Sequence, residues 1–485
     1  MLSWRVPLSG PQTSDRSDGV RNRSARQLRQ LPPKSLRVKR SAAALALAAL
    51  AWTQPAAAQS ILRDAETETL FNDMSAPLIK AAGLRPQDVR IVLVNDQSIN
   101  AFVVGGQAVY IHSGLIQAAR NANEVQGVIA HELGHIADGH VISGEAGMKP
   151  AMGISLLSMV LGLAAIAAGS GEAGAGILGM GQQAALGKYL AFNRVQEATA
   201  DASAIRYLST AGITGRGMLS FFKTMQQDEY RYGLSNIDPF MQSHPLSGQR
   251  IQTLTGDVQA SPSYNAKADP ALDERFRRVK AKLTGYVLPP ARTMTEYPES
   301  DGSIYARYAR AYAFHKSGHP DKADAEADAL VRAEPDNPYF QEIKGQILLE
   351  GGKPRAALAS LRAATEGSRT NPLIATTLGH ALIATEDKAH LPEAIKVLRV
   401  AVQRDDSNPW AWMQLGTAYE TTGDTARAAL ATAERASMTG DPRTAVVSAR
   451  YAMANIPANT PDWIRAQDIA MTSADAAAEQ KRRRR

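Results

Sequence analysis

The feature that most constrains the fold of this 485-residue chain is a repeat of about 34 residues in its C-terminal part. Repeat units start near Ile304, Pro338, Pro372 and Pro409, at spacings of 34, 34 and 37 residues. A period of this length is typical of helix–turn–helix units, which bury their apolar faces by stacking on one another. The four units exceed the number needed for a continuous core, so residues 303–455 predict an α-helical solenoid.

Small residues in the first helix of each unit are followed three positions later by bulky ones. The small residues are Ala311, Gly345, Gly379 and Gly416, and the bulky ones are Phe314, Leu348, Leu382 and Tyr419. The last unit reads Trp412-x2-Leu415-Gly416-x2-Tyr419, which resembles the tetratricopeptide repeat. Such an array supplies an extended concave surface for a protein partner. Residues 456–485 are expected to form a capping helix and a basic tail.

The net charge of +7 is concentrated at the N-terminus. Residues 1–58 carry ten basic and two acidic side chains, whereas the other 427 residues carry 44 basic and 45 acidic ones. Bulk charge therefore gives no argument for nucleic-acid binding. Because the chain has no cysteine, disulfides, thiolate metal sites and cysteine nucleophiles are excluded, and any metal must be held by His, Asp or Glu.

The basic N-terminal region leads into an apolar run of 11 residues, Ala42 to Trp52, which ends at Pro55-Ala56-Ala57-Ala58. A basic region, a short apolar core and small residues at the cut site predict a secretory signal peptide. The run is too short to span a bilayer. We expect cleavage after Ala58 and a periplasmic mature protein.

The motif that carries chemistry is His131-Glu132-Leu133-Gly134-His135, in a segment with helical apolar periodicity. On a helix, positions i and i+4 share one face, so both imidazoles can reach one zinc ion. Glu132 is then placed to take a proton from a bound water. A pair of surface histidines on a core-facing helix is the alternative interpretation.

A catalytic zinc needs a third protein ligand, and Glu197 is the candidate. Glu197 and Asp201 are four residues apart on a predicted buried helix, so one face carries both carboxylates. Asp201 is expected to orient a zinc-bound histidine through its other ring nitrogen. Taken alone, the two acids also fit an ordinary charged helix face. The helix with the HExxH motif is expected to run through His140, five residues after His135, so that His140 points away around this helix and does not bind the metal.

The HExxH motif, the downstream Glu197-x3-Asp201 and the segment Asn100-Ala101-Phe102 with Gly105-Gly106 resemble metallopeptidase family 48. This gluzincin family includes HtpX and the CAAX prenyl proteases. The resemblance implies one zinc ion per chain, held by His131, His135 and Glu197. It also implies that Ala101–Val104 is an edge strand that pairs with an extended substrate.

Two further roles are implied by this resemblance. His244 would cover the zinc in a resting state, unless it is simply a turn histidine. Arg250 would face the transition-state oxyanion, unless it is a surface arginine.

The apolar stretch Met152–Ala168 and the glycine-rich residues 169–181 leave three interpretations open. The first is a buried helix hairpin. The second is a mobile lid or contact surface for apolar clients, because glycines favour mobility. The third is a membrane anchor, at the lower limit of spanning length. Peripheral membrane contact is accordingly expected through residues 152–181.

The sequence therefore predicts a mainly α protein with five segments. They are a leader (1–58), an α+β zinc metallopeptidase domain with a small sheet (59–260), a linker with one helix (261–302), the repeats (303–455) and a cap (456–485). The expected function is endopeptidase action on misfolded or misassembled proteins. By resemblance, the clients would be outer-membrane β-barrel proteins, and the repeats would bind their assembly machinery. The competing hypothesis is a periplasmic chaperone or scaffold with a latent or structural zinc site.

Overall fold

The computed structural model describes residues 5–6, 60–104, 106–167, 170–232 and 244–483. Apart from Arg5–Val6, the expected signal peptide and its cleavage site lie outside the described residues.

A small mixed sheet lies at the start of the N-terminal domain. Its strands are β1 (Arg5–Val6), β2 (Ser60–Leu62), β3 (Arg90–Asn95), β4 (Ala101–Val103) and β5 (Ala108–His112), in the order β1-β2-β3-β5-β4. Strands β3 and β5 are parallel, whereas β4 and β5 are antiparallel with Phe102 opposite Tyr110. Strand β4 is therefore an edge strand that is paired on one side only among the described residues.

Helices pack around this sheet and supply most of the core. They are α1 (Ala65–Ala81), α2 (Ser113–Ala118), α3 (Ala122–Ala137), α4 (His140–Ala167), α5 (Gly171–Thr210), α6 (Arg216–Tyr232) and α7 (Gly248–Ala260). The apolar face of α3 is fully buried, with Val125, Val128, Ile129 and Leu133 all at 0% exposure. This face anchors the HExxH helix at the centre of the domain.

Helix α3 ends earlier than the sequence analysis expected. It was expected to run through His140, but it stops at Ala137 and Gly139 adopts a left-handed conformation with φ of +70°. A left-handed glycine just past a helix end is a common helix terminator, since glycine has no Cβ to clash there. His140 consequently begins the next helix.

Helices α4 and α5 form the hairpin that the apolar and glycine-rich stretch suggested. Their arms approach closely, because a Cβ on Gly162 would lie 2.5 Å from Leu178 Cγ. The hairpin is not buried, which contradicts the first of the three interpretations. Met152, Leu157 and Leu163 are 56–61% exposed, and the window Lys149–Ile166 is apolar and long enough to cross a membrane with 17% of it buried.

The segment expected to be a linker with one helix contains two helices, α8 (Pro270–Val287) and α9 (Pro290–Glu296). Phe276, Val279 and Leu283 of α8 belong to the core of the N-terminal domain and are at most 3% exposed. On another side, Tyr286 packs against the first repeat. Helix α8 is thus a shared element of both cores, and the described residues from Ile61 onward belong to one compact unit.

The repeats are antiparallel helix pairs at the expected places. The pairs are α10 (Ile304–Lys316) with α11 (Pro320–Ala333), α12 (Pro338–Glu350) with α13 (Pro354–Gly367), α14 (Pro372–Ala384) with α15 (Leu391–Arg404), and α16 (Pro409–Thr422) with α17 (Thr425–Met438). A 3₁₀ turn at Lys388–His390 accommodates the longer spacing of the third unit. Within the pairs, Gly345 and Gly379 face Leu361 and Leu398, where a Cβ would clash at 2.4–2.5 Å.

Three further helices follow: α18 (Pro442–Asn455), α19 (Pro461–Thr472) and α20 (Ala474–Arg483). Helices α18 and α19 share a core built on Ala449, Ala466 and Ile469, so they continue the stack as a fifth pair. The expected single capping helix is accordingly split at Ser473, and the pair α18–α19 crosses the expected boundary at residue 456.

Candidate metal centre

Four side chains from three parts of the N-terminal domain converge on one point. His131 and His135 come from α3, Glu197 from α5, and His244 from the segment just before α7. One ligand atom from each lies within 4.8 Å of all the others, and all four residues are buried. The structure thus brings together the three expected ligands and the expected covering histidine.

The separations between these atoms fit a single tetrahedral cation. His131 Nε2 lies 3.2 Å from His135 Nε2 and 3.2 Å from His244 Nδ1, and 3.4 Å from Glu197 Oε2. Metal–ligand bonds of about 2.0–2.1 Å in a tetrahedron place neighbouring ligand atoms roughly 3.3–3.4 Å apart. Imidazole nitrogens with a carboxylate are also ligands that a catalytic zinc takes. The donor set therefore fits a metal ion at the point where these four ligand atoms converge, which we call the metal point.

Local sequence explains how α3 and α5 come close enough. Asn121 caps α3 by accepting a hydrogen bond from the backbone N–H of Glu124. At Gly134 the two helices nearly touch, since a Cβ there would lie 2.8 Å from the carbonyl oxygen of Ala200. The glycine inside the HExxH motif thus allows Glu197 to reach the two histidines.

Asp201 lies behind His131, as the spacing from Glu197 suggested. Its Oδ1 is 3.0 Å from His131 Nδ1, so His131 keeps Nε2 for the metal point. Burial alone would lower the pKa of His131, but the carboxylates of Asp201 and Glu197 overcome this and raise it to about 9. Although burial acts against it, contact with three histidines holds the pKa of Glu197 well below its usual range, so its carboxylate is ionised.

Arg250 holds the two carboxylates in place. Its Nε and Nη2 donate to both oxygens of Asp201 at 2.6 and 2.8 Å, and its Nη1 lies 2.8 Å from Glu197 Oε2. The guanidinium also stacks over Phe222 at 5.3 Å. Every nitrogen of the guanidinium thus contacts a carboxylate in this arrangement, and the oxyanion role expected for Arg250 stays a prediction.

Glu132 is placed beside the metal point without touching it. The side chain is 1% exposed, and its Oε1 has no hydrogen-bond partner in the described structure. His244 Nε2 lies 3.4 Å from that oxygen. A buried carboxylate oxygen without a hydrogen bond is costly, which suits a group that receives a proton from a bound molecule.

A cavity of about 440 Å³ borders the site between α5 and α7. Glu197, Asp201 and Arg250 line its inner side, and Leu190, Pro245 and Leu254 contribute apolar surface. The metal point thus adjoins space that can hold a side chain of a bound molecule.

His140 lies beside the metal ligands, which its sequence position did not predict. Its Nδ1 is 2.9 Å from Nδ1 of His135, although it was expected to point away around a continuous helix. The missed signal was Gly139, because a glycine after a helical run predicts the helix end.

Comparisons with known proteins agree with this site. The profile of peptidase family M48 matches residues 63–258. A beta-barrel assembly-enhancing protease of Yersinia pestis is 24% identical over 80% of this chain and 79% of its own length. A putative beta-barrel assembly-enhancing protease of Vibrio cholerae is 26% identical over 58% of each chain, so this sequence spans less than two thirds of that relative.

Two more comparisons each cover only part of this chain. The metalloprotease YcaL of Escherichia coli K12 is 30% identical over 39% of this chain and 70% of its own length. The crystal structure of YrrB, a tetratricopeptide-repeat protein, is 19% identical over 36% of this chain and 91% of its own, with a TM-score of 0.30. The family match, the metalloprotease relative and the buried His–Glu cluster show that this chain has a metallopeptidase domain and belongs to peptidase family M48.

Proposed function

We propose that the chain is a periplasmic zinc-dependent endopeptidase that cleaves misfolded or misassembled proteins. One observation carries the proposal: four buried ligand atoms are spaced for one tetrahedral cation, next to Glu132 Oε1, which accepts no hydrogen bond from the described residues. His131, His135 and Glu197 would hold the zinc, one ion per chain. When bound, zinc polarises the scissile carbonyl and lowers the pKa of a coordinated water toward neutrality.

The residues around that ion have separate tasks. Glu132 takes the proton of the attacking water and passes it to the leaving amine, which requires its oxygen to be free of other donors. Asp201 orients His131, and Arg250 fixes Asp201 and Glu197 by its bonds to their oxygens. The site is thereby held in one geometry before substrate arrives.

His244 makes the described arrangement a latent one. Its Nδ1 takes the fourth place around the metal point, where a catalytic site needs an open position. Its Nε2 also faces Glu132 at 3.4 Å. Activation on this proposal requires His244 to leave, which frees the fourth position and the general base together.

The substrate is an extended segment of an unfolded protein. Strand β4 is an edge strand, and edge strands present unpaired N–H and C=O groups that accept another strand. Unpaired strands of a misassembled β-barrel have the matching chemistry. Relatives are named beta-barrel assembly-enhancing proteases, which supports β-barrel proteins of the outer membrane as clients. On this proposal the repeats bind the assembly machinery.

The exposed hairpin of α4 and α5 supports peripheral contact with a lipid surface through residues 152–181. Its apolar side chains are open to solvent, and Lys149 and Lys188 stand at the base of its two arms with Tyr189 beside the second. Basic and tyrosine side chains at the end of an apolar segment favour the headgroup region of a bilayer.

A second candidate function is a chaperone or scaffold whose metal site stays closed. The observation in its favour is His244, because a permanent fourth protein ligand makes a site structural.

The test uses residues 59–485 of the wild type, Glu132→Gln and His244→Ala, with bound metal quantified and casein as an unfolded substrate. We expect one zinc per chain in all three, faster cleavage by His244→Ala than by wild type, and none by Glu132→Gln. Zinc without cleavage in wild type and His244→Ala would favour the chaperone. Absence of metal from the wild type would refute the proposal.

A further inference from the structure

His140 lies outside the four ligands but contacts one of them. Its Nδ1 is 2.9 Å from Nδ1 of His135, and the two rings meet at 67° with centroids 5.0 Å apart. On the other side of the ring, its Nε2 is 3.0 Å from Oγ1 of Thr199. His140 thus bridges a metal-ligand candidate of α3 and the helix that carries Glu197.

The ring hydrogens along the hydrogen-bonded series His135–His140–Thr199 can be assigned by elimination. His135 turns Nε2 to the metal point, 3.4 Å from Glu197 Oε1, so its ring hydrogen is on Nδ1. That hydrogen can be donated only if His140 Nδ1 accepts, which leaves the hydrogen of His140 on Nε2. His140 Nε2 then donates to Thr199, whose hydroxyl donates to the backbone carbonyl of Gln196 at 2.9 Å.

Each donor in this hydrogen-bonded series therefore meets one acceptor: His135 donates to His140, His140 to Thr199, and Thr199 to a helix carbonyl. Two local features hold these hydrogen-bonding groups in place. Gly139 reverses the direction of the polypeptide at φ of +70°, and Asp138 accepts a hydrogen bond of 2.9 Å from Ser203 Oγ of α5. This second tie fixes the end of α3 on α5, immediately beside the His140–Thr199 contact.

We propose that His140, anchored by Thr199, is a positioning residue that holds the His135 ring and its Nδ1–H tautomer. It does for His135 what Asp201 does for His131, but with a neutral ring and not a carboxylate. Outer partners of this kind commonly change metal affinity by 10–100-fold. The inference rests on the proposed metal site and deepens it.

The variants separate the hydrogen bond from the bulk of the ring. His140→Ala removes the acceptor, His140→Asn places an amide oxygen near the position of Nδ1, and Thr199→Val removes the anchoring hydroxyl while keeping the side-chain shape. His319→Ala, at an exposed histidine of the repeats, is the matched control.

Zinc dissociation constants are measured by chelator competition on residues 59–485, and thermal unfolding confirms that each variant folds. We expect affinity about 10–100-fold weaker for His140→Ala, smaller losses for Thr199→Val and His140→Asn, and no change for His319→Ala. Histidine-selective ¹⁵N NMR of the zinc-loaded protein should show a protected Nδ1–H on His135 that is lost only in His140→Ala.

The two proposals fail in different ways. If the wild type binds no zinc, the proposed function fails and with it this inference. If the wild type binds zinc while His140→Ala binds it equally tightly with an unchanged His135 tautomer, the metal site stands and the role of His140 is refuted.

Discussion

At the scale of single residues, the site is a set of ligands held by their neighbours. Each histidine of the HExxH motif has its outer nitrogen occupied, His131 by Asp201 and His135 by His140. Arg250 contacts both Asp201 and Glu197, so each of these two buried carboxylates has a cationic partner. Removing one of these partner side chains leaves a buried charge without its counterpart. Metal binding should therefore weaken more than the loss of a single contact would suggest.

The first prediction concerns Asp201→Asn. The amide keeps the shape but loses the charge that orients and polarises His131, so zinc affinity should fall about 10–100-fold in chelator competition. Asp257→Asn is the matched control, because Asp257 is exposed and lines the same cavity. Equal affinities for the wild type and Asp201→Asn would contradict the role of Asp201.

At the scale of elements, the site depends on how closely α3 and α5 approach. The contact at Gly134 is between backbones, because the hypothetical Cβ meets the O and Cα of Ala200 at 2.8 and 2.9 Å. A backbone cannot move aside as a flexible side chain can. The same helix α5 continues into the exposed hairpin arm, so one element links the metal ligands to the apolar surface.

The second prediction is that Gly134→Ala costs about 1–3 kcal/mol of the free energy of unfolding, as overpacking does. It should also weaken zinc binding, because α5 and Glu197 are pushed away. Gly187→Ala provides the contrast: it lies in α5 with open space around it and should stabilise by up to about 1 kcal/mol. Urea unfolding measures both; a neutral Gly134→Ala would argue against close packing at this point.

The third prediction tests the hairpin. Leu157 and Leu161 are 60% and 50% exposed, so changing both to Gln should leave the unfolding midpoint nearly unchanged. Co-sedimentation with vesicles of phosphatidylethanolamine and phosphatidylglycerol should weaken roughly tenfold or more, since each leucine loses apolar burial in lipid. Val447→Gln, at a 70% exposed residue of the repeats, should bind like the wild type. Unchanged binding of the double variant would refute lipid contact here.

At the scale of the whole molecule, the peptidase domain and the repeats share a buried ionic cluster. Lys282 of α8, which is 2% exposed, lies 2.6 Å from Asp64 at the start of α1 and 3.8 Å from Glu342 of α12. Tyr308 of α10 donates to Glu66 at 2.7 Å. Charged groups from both parts must therefore be buried together, which couples the stability of the repeats to that of the N-terminal domain.

The fourth prediction concerns pH. Burial raises the pKa of Glu342 to about 8, although Lys282 acts against it. The folded state then binds a proton that the unfolded state releases above pH of about 4.5, so stability falls as pH rises from about 4.5 to 8. The slope from this group is at most about 1.4 kcal/mol per pH unit.

Glu342→Gln should remove that part of the slope. Urea unfolding at several pH values is followed by tryptophan fluorescence, since Trp410, Trp412 and Trp463 all lie in α16 and α19. Glu299→Gln, at an exposed side chain paired with Lys322, should keep the slope of the wild type. Parallel pH profiles for Glu342→Gln and the wild type would contradict a raised pKa.

The sequence by itself determined what is local. The 34-residue period predicted four helix pairs, and spacing on one helix predicted that His131 shares a face with His135, and Glu197 with Asp201. These inferences depend only on the 3.6-residue turn of a helix. That the helix face with the two histidines meets the face with Glu197 was implied by the resemblance to the peptidase family.

Tertiary structure decided which faces actually meet. Helix α8 was expected to be part of a linker because its surroundings are rich in proline, yet its apolar face fills two cores. The position of His140 depends on one turn at Gly139, and the orientation of Arg250 depends on carboxylates 49 and 53 residues away in the chain. These contacts are set by packing between segments that are far apart in the sequence. The periodicity of residues along a single helix carries no information about which segments pack together.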